Sequence, residues 1–196
     1  MSHATSGWSV VQIWLCLAAG RSDAALRRVE RLRARVPGHP WALATHAYLL
    51  AQAGRRAEAI ELLRQLTLAL EQATPCRRAV AWFNLGYLLE AEGREGEARV
   101  AFERATGDDP RLDRAWYGLG LVHLRAGRLE AAAGALEQCT RLQPMSPSAW
   151  YQLARLRAER GEADEARRLI AHLRGFEPRV AAQLVRETGL EAAPHG

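Results

Sequence analysis

The sequence predicts an all-α fold: a solenoid of about five repeated helical hairpins, closed by a capping helix at the C-terminal end. Three observations predict it. Trp82, Trp116 and Trp150 stand 34 residues apart, as do Pro110, Pro144 and Pro178. Gly20, Gly54, Gly93, Gly127 and Gly161 each precede an alanine by five residues, and the glycines follow one another at intervals of 34, 39, 34 and 34. No stretch alternates apolar and polar side chains with β-branched enrichment, so strands are not expected.

The elements follow in order, as one array over residues 6–190. Residues 6–39 form a first copy that keeps Gly20, Ala25 and Pro37 but puts Gln12 and Ile13 where later copies have Leu-Gly. It reads as a distorted end repeat. Residues 40–78 keep Ala47, Gly54 and Ala59 without a terminal proline. The five extra residues of the long interval fall near LTLALEQATPC, enough to lengthen one helix by about a turn. Residues 79–112, 113–146 and 147–178 are the strongest copies. Each opens with a helix apolar at helical spacing, as in Trp82, Leu85, Leu88 and Leu89. A glycine suited to the left-handed conformation then ends it. A second helix carries its own stripe, as in Ala98, Phe102 and Ala105, and stops before an Asp-Pro or Gln-Pro turn. Residues 179–190 form one more amphipathic helix, with Val180, Leu184 and Val185 on one face, which covers the apolar edge of the last repeat. Residues 1–5 and 191–196 read as disordered tails.

Trp-x2-Leu-Gly, then Ala-x3-Phe, then Pro, at a period of 34, resembles the tetratricopeptide repeat. The third copy carries Trp82, Leu85, Gly86, Ala98, Phe102 and Pro110; the fourth Trp116, Leu119, Gly120, Ala132, Leu136 and Pro144; the fifth Trp150, Leu153, Ala154, Ala166, Ile170 and Pro178. The resemblance implies a right-handed superhelix whose concave face is lined by the first helices. In that arrangement Gly120, like Gly86, sits where the first helix crosses the second, and Ala132 is expected opposite it. Small side chains on both sides would let the backbones approach, offsetting the poor helix propensity of glycine.

Composition limits the chemistry. All 27 basic residues are arginine, which fits GC-rich codon usage and a bacterial origin and excludes a lysine-based mechanism. The net charge of +5 is uneven: residues 1–78 carry 11 arginines against 5 acids, and residues 79–196 carry 16 against 17. The excess at Arg27, Arg28, Arg31, Arg33 and Arg35 reads as the solvated outer face of one helix. Cys16, Cys76 and Cys139 form no CxxC pair and fit reduced thiols in a cytoplasmic protein. Phosphate-binding, nucleophile-elbow and zinc-protease motifs are missing, so no catalytic, cofactor or metal site is expected. His46 and His123 read as core or edge histidines. The apolar segment from Trp8 to Ala19 lacks a basic leader and is too short to cross a membrane, so no membrane insertion is expected.

What remains is the groove. Carried over copy by copy, its expected lining is Trp14, Trp41 and Tyr48 from the first two repeats, then Phe83, Asn84 and Tyr87 from the third. The fourth supplies Arg114, Tyr117, Gly118 and Arg125, and the fifth Tyr151, Gln152 and Arg155. Aromatics interleaved with arginines and amides are the residue types of binding hot spots. Asn84 and Arg114 match two places of the carboxylate clamp that some family members use, but Ala44, Tyr48 and Gly118 hold the others, so a full clamp is absent. Gly118 is expected to leave a notch between Tyr87 and Tyr151 that seats a side chain of the bound segment. The expected function is therefore a non-enzymatic scaffold or adaptor that binds a peptide or helix of a protein partner. Nucleic-acid binding and a secretion or envelope assembly role are the alternatives, and self-association stays open. Against nucleic acid, the arginines belong to the outer face and the aromatics to the inner one.

Overall fold

The computed structural model describes residues 2–191, with side chains from Gly7 onward. Among the described residues there are eleven α-helices and no strand. They divide into two compact units, residues 1–109 and residues 110–196.

The first unit holds α1 (Ser2–Ala18), α2 (Ser22–Arg35), α3 (Pro40–Gln52), α4 (Arg56–Ala69), α5 (Pro75–Ala91) and α6 (Glu95–Asp108). The second holds α7 (Asp113–Arg125), α8 (Leu129–Leu142), α9 (Pro147–Glu159), α10 (Ala163–Phe176) and α11 (Pro178–Thr188). Within each unit every helix packs on the next, and α11 packs on both α10 and α9. The 34-residue period thus folds as tandem hairpins, each pairing an odd-numbered helix with the 14-residue helix after it.

The phased glycines make the hairpin turns. Gly20, Gly54, Gly93, Gly127 and Gly161 lie at φ of +68°, +78°, +72°, +67° and +77°, in the region that side chains with a Cβ avoid. The residue after each glycine donates its N–H back across the helix end, as Arg55 does to the Leu50 carbonyl at 2.9 Å and Arg128 to His123 at 3.0 Å. This paired closure satisfies carbonyls that the helix end leaves free. The period is therefore a period of left-handed turns.

The tryptophan–proline spacing also has a physical cause. The Trp116 indole donates to the Pro110 carbonyl at 2.9 Å, and the Trp150 indole donates to the Pro144 carbonyl at 2.7 Å. Each bond ties a helix to the loop that enters it. Six residues before Trp82 stands Cys76, inside the extra length of α5. That helix has 17 residues where α3, α7 and α9 have 13, so the insertion lengthens α5 at its N-terminus by a turn. The added turn is anchored, because Arg78 donates from Nε and Nη2 to the two Asp108 carboxylate oxygens at 3.1 and 2.5 Å.

Two expectations need correction. Residues 2–5, set aside as a tail, lie in α1; no glycine or proline precedes Gly7, so nothing in that stretch stops a helix. The other expected tail, apart from Glu191, lies outside the described residues. The crossing at Gly120 is also not small against small. A Cβ built there would lie 2.8 Å from Leu136 Cγ, and one at Gly86 would lie 2.9 Å from the Phe102 ring. Glycine makes room for the large residue one turn beyond the alanine. Phe102 and Leu136 are 1% and 0% exposed, so neither can swing out of the way.

Candidate functional site

The C-terminal unit carries a recess of about 290 Å³ between α7, α9 and α11. Tyr117 of α7 forms one wall, and Tyr151 and Gln152 of α9 form another, with Pro147 and Ser148 at the start of α9. Val180 and Gln183 of α11 close the third side. Tyr117 and Tyr151 occupy matching places in successive repeats, one period apart. The repeat spacing itself brings the two rings to one hollow.

A short polar chain lies along the α11 side. The Tyr151 hydroxyl donates to Glu187 Oε2 at 2.6 Å, and the Gln183 amide donates to Glu187 Oε1 at 2.7 Å. These two donors, the tyrosine first, hold the Glu187 carboxyl below the usual carboxylate range. The same bond raises the Tyr151 phenol above its ordinary value, because losing its proton would set two negative oxygens side by side. Gln152 Oε1 is buried and has no hydrogen-bond partner. Arg155 Nε lies 3.3 Å from Glu159, one turn further along α9.

The other expected groove residues are placed as follows. In the C-terminal unit Arg114 and Arg125 are exposed on α7. Gly118 is buried and is not part of the recess wall. This recess lies one repeat further on than the expected notch. In the N-terminal unit Trp14, Tyr48 and Tyr87 are exposed, and Asn84 is half-buried. Trp41 packs against the core formed by Ile13, Val29 and Leu49. Phe83 is committed to packing as well, with its ring 6.1 Å from Phe102 and 6.5 Å from Tyr87.

Sequence reasoning missed Pro147, Ser148, Gln183 and Glu187, and it found Val180 only as a capping residue. Val180, Gln183 and Glu187 follow at intervals of three and four along α11, so one edge of that helix faces α9 beside its buried stripe. The spacing was readable, but reading α11 solely as a lid hid it.

Burial, with the charge of Asp113 adding to it, pushes the Cys139 thiol up to about 11, far from a reactive thiolate. His46 Nδ1 lies 2.9 Å from Arg33 Nη1, and His123 Nδ1 accepts from Arg128 Nε at 2.9 Å. Among the described residues no group of three or more His, Cys, Asp and Glu side chains is placed to hold a metal. None of the described helices is long and apolar enough to cross a membrane. The α2 arginines are partly engaged: Arg33 also donates to Gln65 on α4, and Arg31 turns back to the Arg27 carbonyl.

Tandem hairpins turned by left-handed glycines, with ring-lined first helices, define a helical-repeat protein. Tetratricopeptide-repeat family models match residues 17–83, 79–111, 96–139 and 117–174, so nearly all of the hairpin array is covered. The chain belongs to the tetratricopeptide-repeat family. No curated protein sequence matches it. Among solved structures it is similar to MamA from Desulfovibrio magneticus RS-1, at 19% identity and a TM-score of 0.75, over 93% of this chain and 96% of that one. It is similar to PilF of Pseudomonas aeruginosa at 22% identity and a TM-score of 0.67, over 93% and 89% of the two chains. It is also similar to YrrB, described as a TPR protein with an unusual peptide-binding site, at 19% identity and a TM-score of 0.66, over 82% and 84%. At such identities the likeness is one of fold.

Proposed function

We propose that this protein is a non-enzymatic interaction scaffold that binds a peptide or helical segment of a partner protein, anchored in the recess between α7, α9 and α11. The observation that carries the reading is the pair Tyr117 and Tyr151, set one repeat apart on the walls of a single hollow. Tyrosine brings a large, stiff contact surface with a polar tip, which is why it recurs at binding hot spots. The volume lies at the small end of ligand pockets, which suits one anchoring side chain better than a whole cofactor. Family membership and the peptide-binding site described for YrrB support the same class of function.

The test is capture of partners from the native lysate on the wild-type protein and on Tyr117→Ala and Tyr151→Ala, with folding checked by circular dichroism. A partner held by the wild type and lost by both folded variants is the expected result. Equal recovery on all three would place the binding surface elsewhere. The nucleic-acid alternative keeps the positive charge of α2, although Arg33 and Arg31 each spend donors within the protein.

A further inference from the structure

In α3 two residues pack on the hairpin before it. They are Ala42 and Leu49, which share one core with Ile13, Cys16, Ala25 and Val29. They stand twelve and five residues ahead of Gly54. At the same distances from their own closing glycines, the later copies hold Ala81 and Leu88, Ala115 and Val122, and Ala149 and Leu156, and every one is buried. In α1 these places hold Trp8 and Leu15, which are 66% and 64% exposed, with Val11 between them at 46%. Trp14 stands apart, because it matches the exposed Tyr48 and Tyr87. The side of α1 that corresponds to a stacking face is thus apolar and bare.

We infer that two copies of the chain pair through this face, α1 against α1, antiparallel about a two-fold axis near Val11. An indole where every later copy has a buried alanine would hold a regular hairpin off, so the face is not shaped for one more repeat. Nor does α11 fit it, since its outer side exposes Arg179, Gln183 and Arg186 and offers no apolar seat for head-to-tail stacking. A second α1 fits. The helix contains no arginine, aspartate or glutamate, so like charges do not meet across the axis. Trp8 and Leu15 stand symmetrically about Val11 and Gln12, so each indole lies against the leucine of the other copy. Three side chains bury well under the roughly 800 Å² per partner of a standard complex, so the dimer is weak. The excess positive charge of residues 1–78 repels between copies, and added salt therefore tightens the pair.

Sedimentation equilibrium of the full chain over a concentration series tests the pairing. A monomer–dimer equilibrium in the micromolar range is expected, tighter at high salt. Trp8→Ser and Leu15→Ser change exposed residues, so they keep the fold, and each should weaken the dimer by about tenfold or more, against less than about threefold for Trp14→Ser. A second measurement reads the geometry. On a Cys76→Ser background, which removes the exposed thiol, Val11→Cys should oxidise to a linked dimer and Trp14→Cys should not. A monomer at every concentration, or a dimer indifferent to Trp8→Ser, overturns the pairing. So does a chain that stays monomeric but sediments with phosphatidylglycerol vesicles through Trp8, losing them in salt, which would give the face to an anionic bilayer. None of these outcomes touches the recess, so the proposed function stands or falls separately.

Discussion

The two units end differently. The C-terminal unit closes on α11, where Ala181 and Leu184 are fully buried against the stripe formed by Leu153, Ile170 and Leu173. The N-terminal unit begins with α1, which buries Ile13 and Cys16 but leaves Trp8, Val11, Trp14 and Leu15 between 46% and 66% exposed. Both helices carry apolar residues at helical spacing. In α11 they form one narrow stripe with Arg179, Gln183 and Arg186 outside it. In α1 apolar residues run around the whole helix, and only one side meets α2. A lid needs a polar back as well as an apolar front, and only α11 has both.

Removing the lid should have the largest effect. Deleting residues 178–190 should lower the melting temperature and make the protein associate, because Ile170 and Leu173 lose their cover. Light scattering after gel filtration reads the association. A monomer of unchanged stability would mean that α11 closes nothing.

A smaller effect is expected at the two glycine crossings, one in each unit. Gly86→Ala and Gly120→Ala should each destabilise by about 1–3 kcal/mol, overriding the helix-propensity gain of about 1 kcal/mol. The added Cβ would sit inside contact distance of Phe102 or Leu136, both locked in the core. Urea unfolding measures this. Stabilisation by either substitution would show that its crossing has spare room.

Acid should weaken the N-terminal unit. His46 is buried beside Arg33, and burial first, then the Arg33 charge, lowers its pKa below the usual 6.5. The unfolded chain therefore takes up the proton before the folded one does. Stability from the neutral imidazole is present above pH 6.5 and is lost as the pH falls through the lower folded value. Arg33→Gln should narrow that loss by removing one opposing charge. Urea midpoints between pH 7.5 and 5 test it, and an Arg33→Gln protein at least as acid-sensitive as the wild type would contradict the assignment.

The smallest effect belongs to the uncovered end. Trp14→Ser on α1 should change stability by no more than about 0.5 kcal/mol. Ile13→Ala, one residue away and fully buried, should cost about 2–5 kcal/mol. Similar losses from both would show that the Trp14 side of α1 is covered after all.

Most of the fold was legible because its punctuation is local. A glycine at positive φ and an indole reaching back six residues leave marks at fixed spacings, so the hairpins could be counted from the sequence. The partner of Gly120 was not legible, since period alone does not say whether Ala132 or Leu136 fills the gap. The site was legible in Tyr117, Tyr151 and Gln152, which recur with the repeat. Gln183 and Glu187 belong to α11, which has no counterpart in the period. Gly118 is buried, which a missing side chain in a sequence does not reveal.

Under the proposed function, the α7–α9–α11 recess anchors a partner segment. Calorimetric titration of a captured or selected binding peptide against Tyr151→Ala and Tyr87→Ala tests it most directly, since Tyr87 is a first-helix tyrosine exposed in the other unit. Tyr151→Ala is expected to lose about 1–3 kcal/mol of binding free energy, as for the loss of one anchor, while Tyr87→Ala stays within about 0.5 kcal/mol of the wild type. Full affinity in Tyr151→Ala together with a large loss in Tyr87→Ala would contradict it and move the site to the N-terminal unit.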